Sequence, residues 1–126
     1  MKRVLIVEDE ALISMMIQDS LDHLGYEVVA TASRLDDGLE KARTLAIDVA
    51  VLDVNLHGEL SYPIADLLVG RHIPFIFATG YGRAGLPDNL RDVEFVTKPF
   101  RERQLDDALR AATSRASADR TDPSAG

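Results

Sequence analysis

The chain contains no cysteine, which excludes disulfides, thiolate metal sites and cysteine nucleophiles. It also lacks a long apolar run. The first, Val4 to Val7, stops at Glu8-Asp9-Glu10 and is too short for the core of a signal peptide despite the basic residues before it. No stretch approaches the length of a membrane-spanning helix, so a cytoplasmic protein is the expectation. An excess of positive charge is missing as well. The 14 Lys and Arg stand against 21 Asp and Glu, a net charge of −7, which argues against nonspecific binding to nucleic acid or to an anionic membrane. What is present is ordinary for a globular protein: 126 residues, 46% of them hydrophobic and 28% charged, enough for one domain that buries about two-thirds of its unfolded surface.

Two kinds of segment alternate along the chain. Short runs rich in Val, Ile and Phe lie at 3–7, 26–31, 48–53, 74–79 and 93–97. Without polar alternation, they suit strands of a parallel sheet buried on both faces. Between them come stretches with helical spacing. Leu12, Met16, Ile17, Leu21 and Leu24 form one stripe, closed by Gly25; Leu35, Leu39, Ala42 and Leu45 form another, with Ser33 a candidate N-cap. Residues 61–70, with Pro63 near the start, and residues 101–112, with Leu105, Ala108, Leu109 and Ala112 on one face, complete the set. Such alternation predicts right-handed βαβ units and an α/β fold with helices on both sides of the sheet. The segment 80–92, GYGRAGLPDNLRD, holds glycines and a proline where a fourth helix would fall, so a helix there is short or irregular. Residues 114–126 are small, polar and aperiodic, and are expected to form a disordered tail after a domain spanning 1–113.

In open α/β sheets, ligands bind beyond the carboxyl ends of the strands. The residues at those ends are Glu8-Asp9, Asp53, Thr79 and Thr97-Lys98-Pro99. Singly, each has an ordinary reading: Glu8 and Asp9, for instance, could simply begin a helix, where acidic residues favour the positive end of the dipole. At successive strand ends they make one rim. Clustered carboxylates repel unless a cation joins them, and oxygen-only donors suit a hard ion such as Mg²⁺ (or Mn²⁺), which favours one or two carboxylates plus phosphate oxygens. A metal on Asp9 and Asp53 would bring a phosphoryl group to the Asp53 carboxylate, the nucleophile that would form an acyl phosphate. Lys98 would offset charge on the transferred group, and Thr79 would donate a hydrogen bond to it.

The motifs VLIVEDE, VLDVNL, FATGYG and TKPF resemble those of the receiver domain of two-component response regulators, over residues 2 to about 113. The stretch PFIFATGYG further resembles the signature of the FAT GUY subfamily, mostly single-domain receivers. The resemblance implies a doubly wound, flavodoxin-like five-stranded parallel sheet of order 2-1-3-4-5. It implies that Asp53 is the phosphoacceptor, that Glu8, Asp9, Asp53 and the Asn55 backbone carbonyl hold the Mg²⁺, with Glu8 acting through water, and that Thr79 and Lys98 contact the phosphoryl group. It also implies a cis Lys98-Pro99 peptide, a switch coupling Thr79 to Phe95, and a movable loop through Gly80, Tyr81 and Gly82. The resemblance also implies that Asn55 and Tyr81, two residues beyond Asp53 and Thr79, occupy positions that in receivers tune acyl-phosphate hydrolysis. The implied partner is a sensor histidine kinase of the HWE or HisKA2 class, with no nucleic acid and no membrane. The chain would not be an enzyme beyond its own phosphorylation and dephosphorylation. Too little chain follows residue 113 for an output domain, so output is expected through protein contact or through phosphate sharing, unless the chain is a piece of a longer protein.

Other readings fare worse. Asp53-Val-Asn-Leu-His-Gly58 begins like a calcium loop, but Ile64 stands where the bidentate Glu is required. A haloacid-dehalogenase-like phosphatase places a second aspartate two residues after its nucleophile, where this chain has Asn55, and there is no room for a substrate cap. A receiver working without phosphorylation fits poorly with an intact set of Asp9, Asp53, Thr79 and Lys98. His23, His57 and His72 are far apart in sequence and make no metal site; His57 reads as a solvated loop residue.

Overall fold

The computed structural model describes residues 1–80, 86–90 and 92–121, with side chains through Arg115. Its elements in chain order are β1 (Arg3–Val7), α1 (Ala11–His23), β2 (Glu27–Ala32), α2 (Leu35–Thr44), β3 (Val49–Asp53), β4 (Asn55–Leu56), β5 (Glu59–Leu60), α3 (Tyr62–Gly70), β6 (Phe75–Thr79), β7 (Phe95–Thr97) and α4 (Glu102–Thr121). Five strands form one parallel sheet of order β2-β1-β3-β6-β7; the five Val- and Ile-rich runs are its strands, in the flavodoxin-like order that the receiver resemblance implies.

Alternation along the strands sets the layers, because successive side chains leave a strand on opposite faces. Leu5, Val7, Ala50, Leu52, Phe75 and Phe77 go to one face and meet Ala42 of α2 and Ile64, Ala65 and Leu68 of α3. Val4, Ile6, Val49, Val51, Ile76 and Ala78 go to the other and meet Ile17 and Leu21 of α1 and Leu105, Leu109 and Ala112 of α4. Each fully buried Leu or Ile stabilises the fold by about 2 kcal/mol relative to exposure. Phe77 anchors the first face, with edge-on contacts to Tyr62 and Phe75.

Several local expectations change. In α1, Ile17 and Leu21 are buried, whereas Leu12 and Met16 are 70% and 59% exposed. Ile13, Ile17 and Leu21 recur at four-residue steps, and this row faces the sheet; Leu12 and Met16 sit one residue, about 100°, away. Ser33 is not the cap of α2; Arg34 holds that position, with no side-chain cap bond. Gly25, at φ +90°, does end α1, in the left-handed conformation that glycine adopts without strain. Among the described residues, 80–92 contains only a 3₁₀ turn at Asp88–Leu90, in keeping with its glycines and proline. The polar segment expected to be disordered from residue 114 is instead helical through Thr121, because α4 runs across it. Ala111, Ala112, Ala116 and Ala118 are strong helix formers, and extending a helix already docked on the sheet needs no new nucleus. Residues 122–126 lie outside the described ones. No helix among the described residues is long and apolar enough to cross a membrane.

Candidate functional site

The chain runs from β1 outward to β2 and then returns to β3 on the other side of β1. The strand order reverses between β1 and β3, and a crevice opens there at their carboxyl ends. Asp53 ends β3 with its neighbour Leu52 in register with Val7, and Glu8 and Asp9 follow Val7 directly. On the other side of β3, Asp53 is in register with Ala78, and Thr79 with Thr97. Lys98 is tied to the end of β6 by its amide, which donates to the Thr79 carbonyl at 2.8 Å. The four strand ends thus converge on one rim.

Glu8, Asp9 and Asp53 each offer an oxygen within 4.8 Å of the others. Lys98 Nζ donates to Glu8 Oε1 at 2.7 Å and lies 3.3 Å from Asp53 Oδ2. The second Glu8 oxygen accepts the Glu10 amide at 3.1 Å, so both oxygens of this buried carboxylate are satisfied. Burial drives the Asp53 carboxyl up to about 7, reinforced by the hydrogen bond and charge of Glu8 and by Asp9, with Lys98 opposing. Burial also acts against the charged form of Asp9, but its hydrogen bonds with Asp53, the His57 amide and Glu8 prevail and hold it below the usual carboxylate range. Burial likewise disfavours charge on Lys98, and contacts with Glu8 and Asp53 outweigh it, raising the ammonium. Near neutral pH the Asp53 carboxyl is therefore only partly ionised. The clustered oxygen-only donor set of Glu8, Asp9 and Asp53 fits a hard divalent cation.

Thr79 is buried at the end of β6, and Phe95 is half-buried in β7, in register with Phe77. The Lys98-Pro99 peptide is cis. Gly80 is described and exposed; Tyr81 and Gly82 lie outside the described residues. His23 and His72 stand away from the rim: His23 Nδ1 pairs with Glu102 at 2.8 Å, and His72 follows α3 at φ +59°.

One element here was not legible beforehand. Directly after Asp53 the chain makes a miniature antiparallel hairpin, β4–β5, pairing Leu56 with Glu59 across His57 and Gly58. Their φ values of +52° and +88° are those of a type I′ turn. The turn brings the His57 amide to Asp9 Oδ2 at 3.1 Å, so His57 meets the site through its main chain. The sequence signal was the glycine of His57-Gly58 between Asn55-Leu56 and Glu59-Leu60, too little to outweigh a loop.

The family model of the response regulator receiver domain matches residues 4–110. The chain belongs to this family. It is 41% identical to SdrG from Sphingomonas melonis Fr1, whose solution structure superposes with a TM-score of 0.81 over 90% of this chain and 97% of that one. The response regulator PhyR from Brucella abortus, 28% identical with a TM-score of 0.78, aligns with 94% of this chain and 50% of that chain. The transcriptional regulatory protein PdtaR of Mycobacterium tuberculosis (strain ATCC 25618 / H37Rv) is 31% identical over 118 residues, 90% of this chain. The chain spans 58% of that relative and 51% of nodulation protein W from Bradyrhizobium diazoefficiens.

Proposed function

We propose that Asp53 accepts a phosphoryl group from a histidine kinase and that the modified domain signals through contact with another protein or by sharing phosphate with a second kinase. The observation that carries this reading is the convergence at one strand-order reversal: the Asp53 carboxylate among Glu8 and Asp9, with Lys98 Nζ 3.3 Å from Asp53 Oδ2. In the transfer, an Asp53 oxygen forms the new O–P bond as the P–N bond of the kinase phosphohistidine breaks, and the bonding pair returns to the imidazole nitrogen. Lys98, held between Glu8 and Asp53, is placed to balance charge on the phosphoryl oxygens. Thr79 is the hydroxyl that would hold one of them. Asp9, Asp53 and the Asn55 carbonyl, with Glu8 behind them, would hold a Mg²⁺ ion, which would supply positive charge favouring Asp53 as a carboxylate. Phosphorylation adds up to about two negative charges and three acceptor oxygens, a local change that Thr79 and Lys98 would pass to the adjoining loop and to Phe95.

An apolar surface beside the rim supports a protein donor. Leu12, Met15 and Met16 are 70%, 60% and 59% exposed on α1, whose first residue is two positions after Asp9. Flexible methionines suit a surface that packs against a helix of another protein. The PFIFATGYG stretch further supports the FAT GUY assignment and, through it, an HWE or HisKA2 kinase. Intact-protein mass after incubation with acetyl phosphate and Mg²⁺ tests the core of the proposal. One phosphoryl adduct is expected on the wild type, with none on Asp53→Ala and none with chelator. An equal adduct on Asp53→Ala would sink it, as would no adduct from either acetyl phosphate or a phosphorylated HWE-type kinase.

A further inference from the structure

We infer that the Asn55 side chain is a positioning group for Asp9: it closes the His57-Gly58 turn, and the closed turn aims the His57 amide at Asp9 Oδ2. The inference rests on the reading of Asp9 as a cation ligand given above. The role reserved there for Asn55 uses only its backbone carbonyl, which any residue type would supply. Its side chain does something separate. Asn55 Oδ1 accepts the Gly58 amide at 2.8 Å, three residues along, and so spans the hairpin of two-residue strands. Such a hairpin has few ladder bonds of its own and is marginal in isolation; Asn55, at the base of the hairpin opposite Leu60, supplies a further tie to the turn. His57 sits at φ +52°, a conformation that a non-glycine residue keeps only when its surroundings hold it. The amide it presents reaches Asp9 Oδ2 at 3.1 Å. That bond is the main-chain contact to a carboxylate whose other hydrogen bonds are with the acids Asp53 and Glu8, while Lys98 serves Glu8 and Asp53. A hydrogen bond to one oxygen of a ligating carboxylate orients it and leaves the other oxygen for the cation, and losing such outer contacts commonly costs about ten- to a hundredfold in metal affinity.

The test is Mg²⁺ titration of the wild type, Asn55→Ala and Asn55→Ser, followed by amide chemical shifts, together with hydrogen exchange at the His57 amide. Asn55→Ala is expected to bind Mg²⁺ about tenfold more weakly and to exchange the His57 amide faster, with its thermal midpoint little changed. Asn55→Ser, which keeps a short acceptor, should recover part of both. Unchanged affinity in Asn55→Ala would overturn the inference. So would weakened affinity with the His57 amide as protected as before, because the side chain would then act on the cation directly. A wild type that binds no Mg²⁺ would overturn the reading of the site itself, and the positioning role with it. Mg²⁺ binding by the wild type that is indifferent to Asn55 overturns the positioning role alone.

Discussion

The two edges of the acidic site hold their carboxylates by opposite means. On the Lys98 edge, Glu8 is buried, its side chain 1% exposed, and paired with an ammonium whose side chain is 19% exposed. On the His57 edge, Asp9 is partly open to solvent, and the contact comes from a main-chain amide at the tip of a hairpin. A buried ion pair is costly to break, because removing one partner strands the other's charge in a low-dielectric setting. A partly exposed hydrogen bond to an amide is cheap to break, because water replaces it. The Lys98 edge is therefore built to persist, and the Asp9 edge is built to exchange partners. Asp53 lies between the two, which suits the role proposed for it, in which it would pass from protonated to cation-bound to phosphorylated without unfolding its surroundings.

The largest effect should come from breaking the persistent edge. Lys98→Ala leaves Glu8 buried with no counter-charge and is expected to lower unfolding free energy by about 3 kcal/mol, read by urea denaturation near pH 8 without metal. Adding Glu8→Gln should return much of that loss, since the most deeply buried of the carboxylates that Lys98 neutralises is then uncharged. If the double variant is as unstable as Lys98→Ala alone, the destabilisation comes from lost packing of the lysine stem and the contrast between the two edges fails.

A smaller effect follows from the proton on Asp53. Burial and the neighbouring acids push its carboxyl up to about 7 in the folded protein, against 3.8 for a free aspartate. Between those values the native state binds more protons than the unfolded state, so stability falls as pH rises from about 4 to about 7. Asp9 is shifted the other way, and its contribution is lost only as pH falls below the ordinary carboxylate range. Thermal midpoints of the metal-free wild type should therefore decline between pH 5 and pH 8. Asp53→Asn should flatten that slope, and so should saturating Mg²⁺. A wild-type profile that is flat without metal would mean that Lys98 neutralises the whole cluster, and that the two edges are not electrically distinct.

How much of this was legible beforehand depends on whether local pattern had competition. The five strands were plain, because runs such as Val49–Asp53 and Phe75–Thr79 are β-branched or aromatic and too short for helices. The convergence of Asp9, Asp53, Thr79 and Lys98 followed from the general rule about strand ends. In α1 the pattern was ambiguous: Leu12 and Met16 are as apolar as Ile13 and Ile17, and only docking on the sheet selects the second row. The β4–β5 hairpin was beyond reach, because two-residue strands carry no periodicity to read. The end of α4 was misjudged on composition, since polarity says little about a helix already nucleated by Leu105 and Leu109.

The smallest expected effect sharpens the comparison most, because it separates side chain from main chain at the exchangeable edge. His57 meets Asp9 through its amide, and at φ +52° its side chain occupies backbone space that suits glycine better. His57→Gly keeps the donor and relieves that conformation at the expense of a more flexible unfolded chain, two effects that oppose each other. Mg²⁺ affinity should stay within about twofold of wild type, and stability within about 0.5 kcal/mol. The imidazole charge, where present, favours ionised Asp9 only as the weakest of the influences on it, so its loss should pass nearly unnoticed at pH 8. A tenfold drop in affinity would instead assign the imidazole to the site, and would make the His57 edge a side-chain edge like that of Lys98. Read beside Asn55→Ala, an unchanged His57→Gly would show that what this edge contributes is the placement of one backbone N–H.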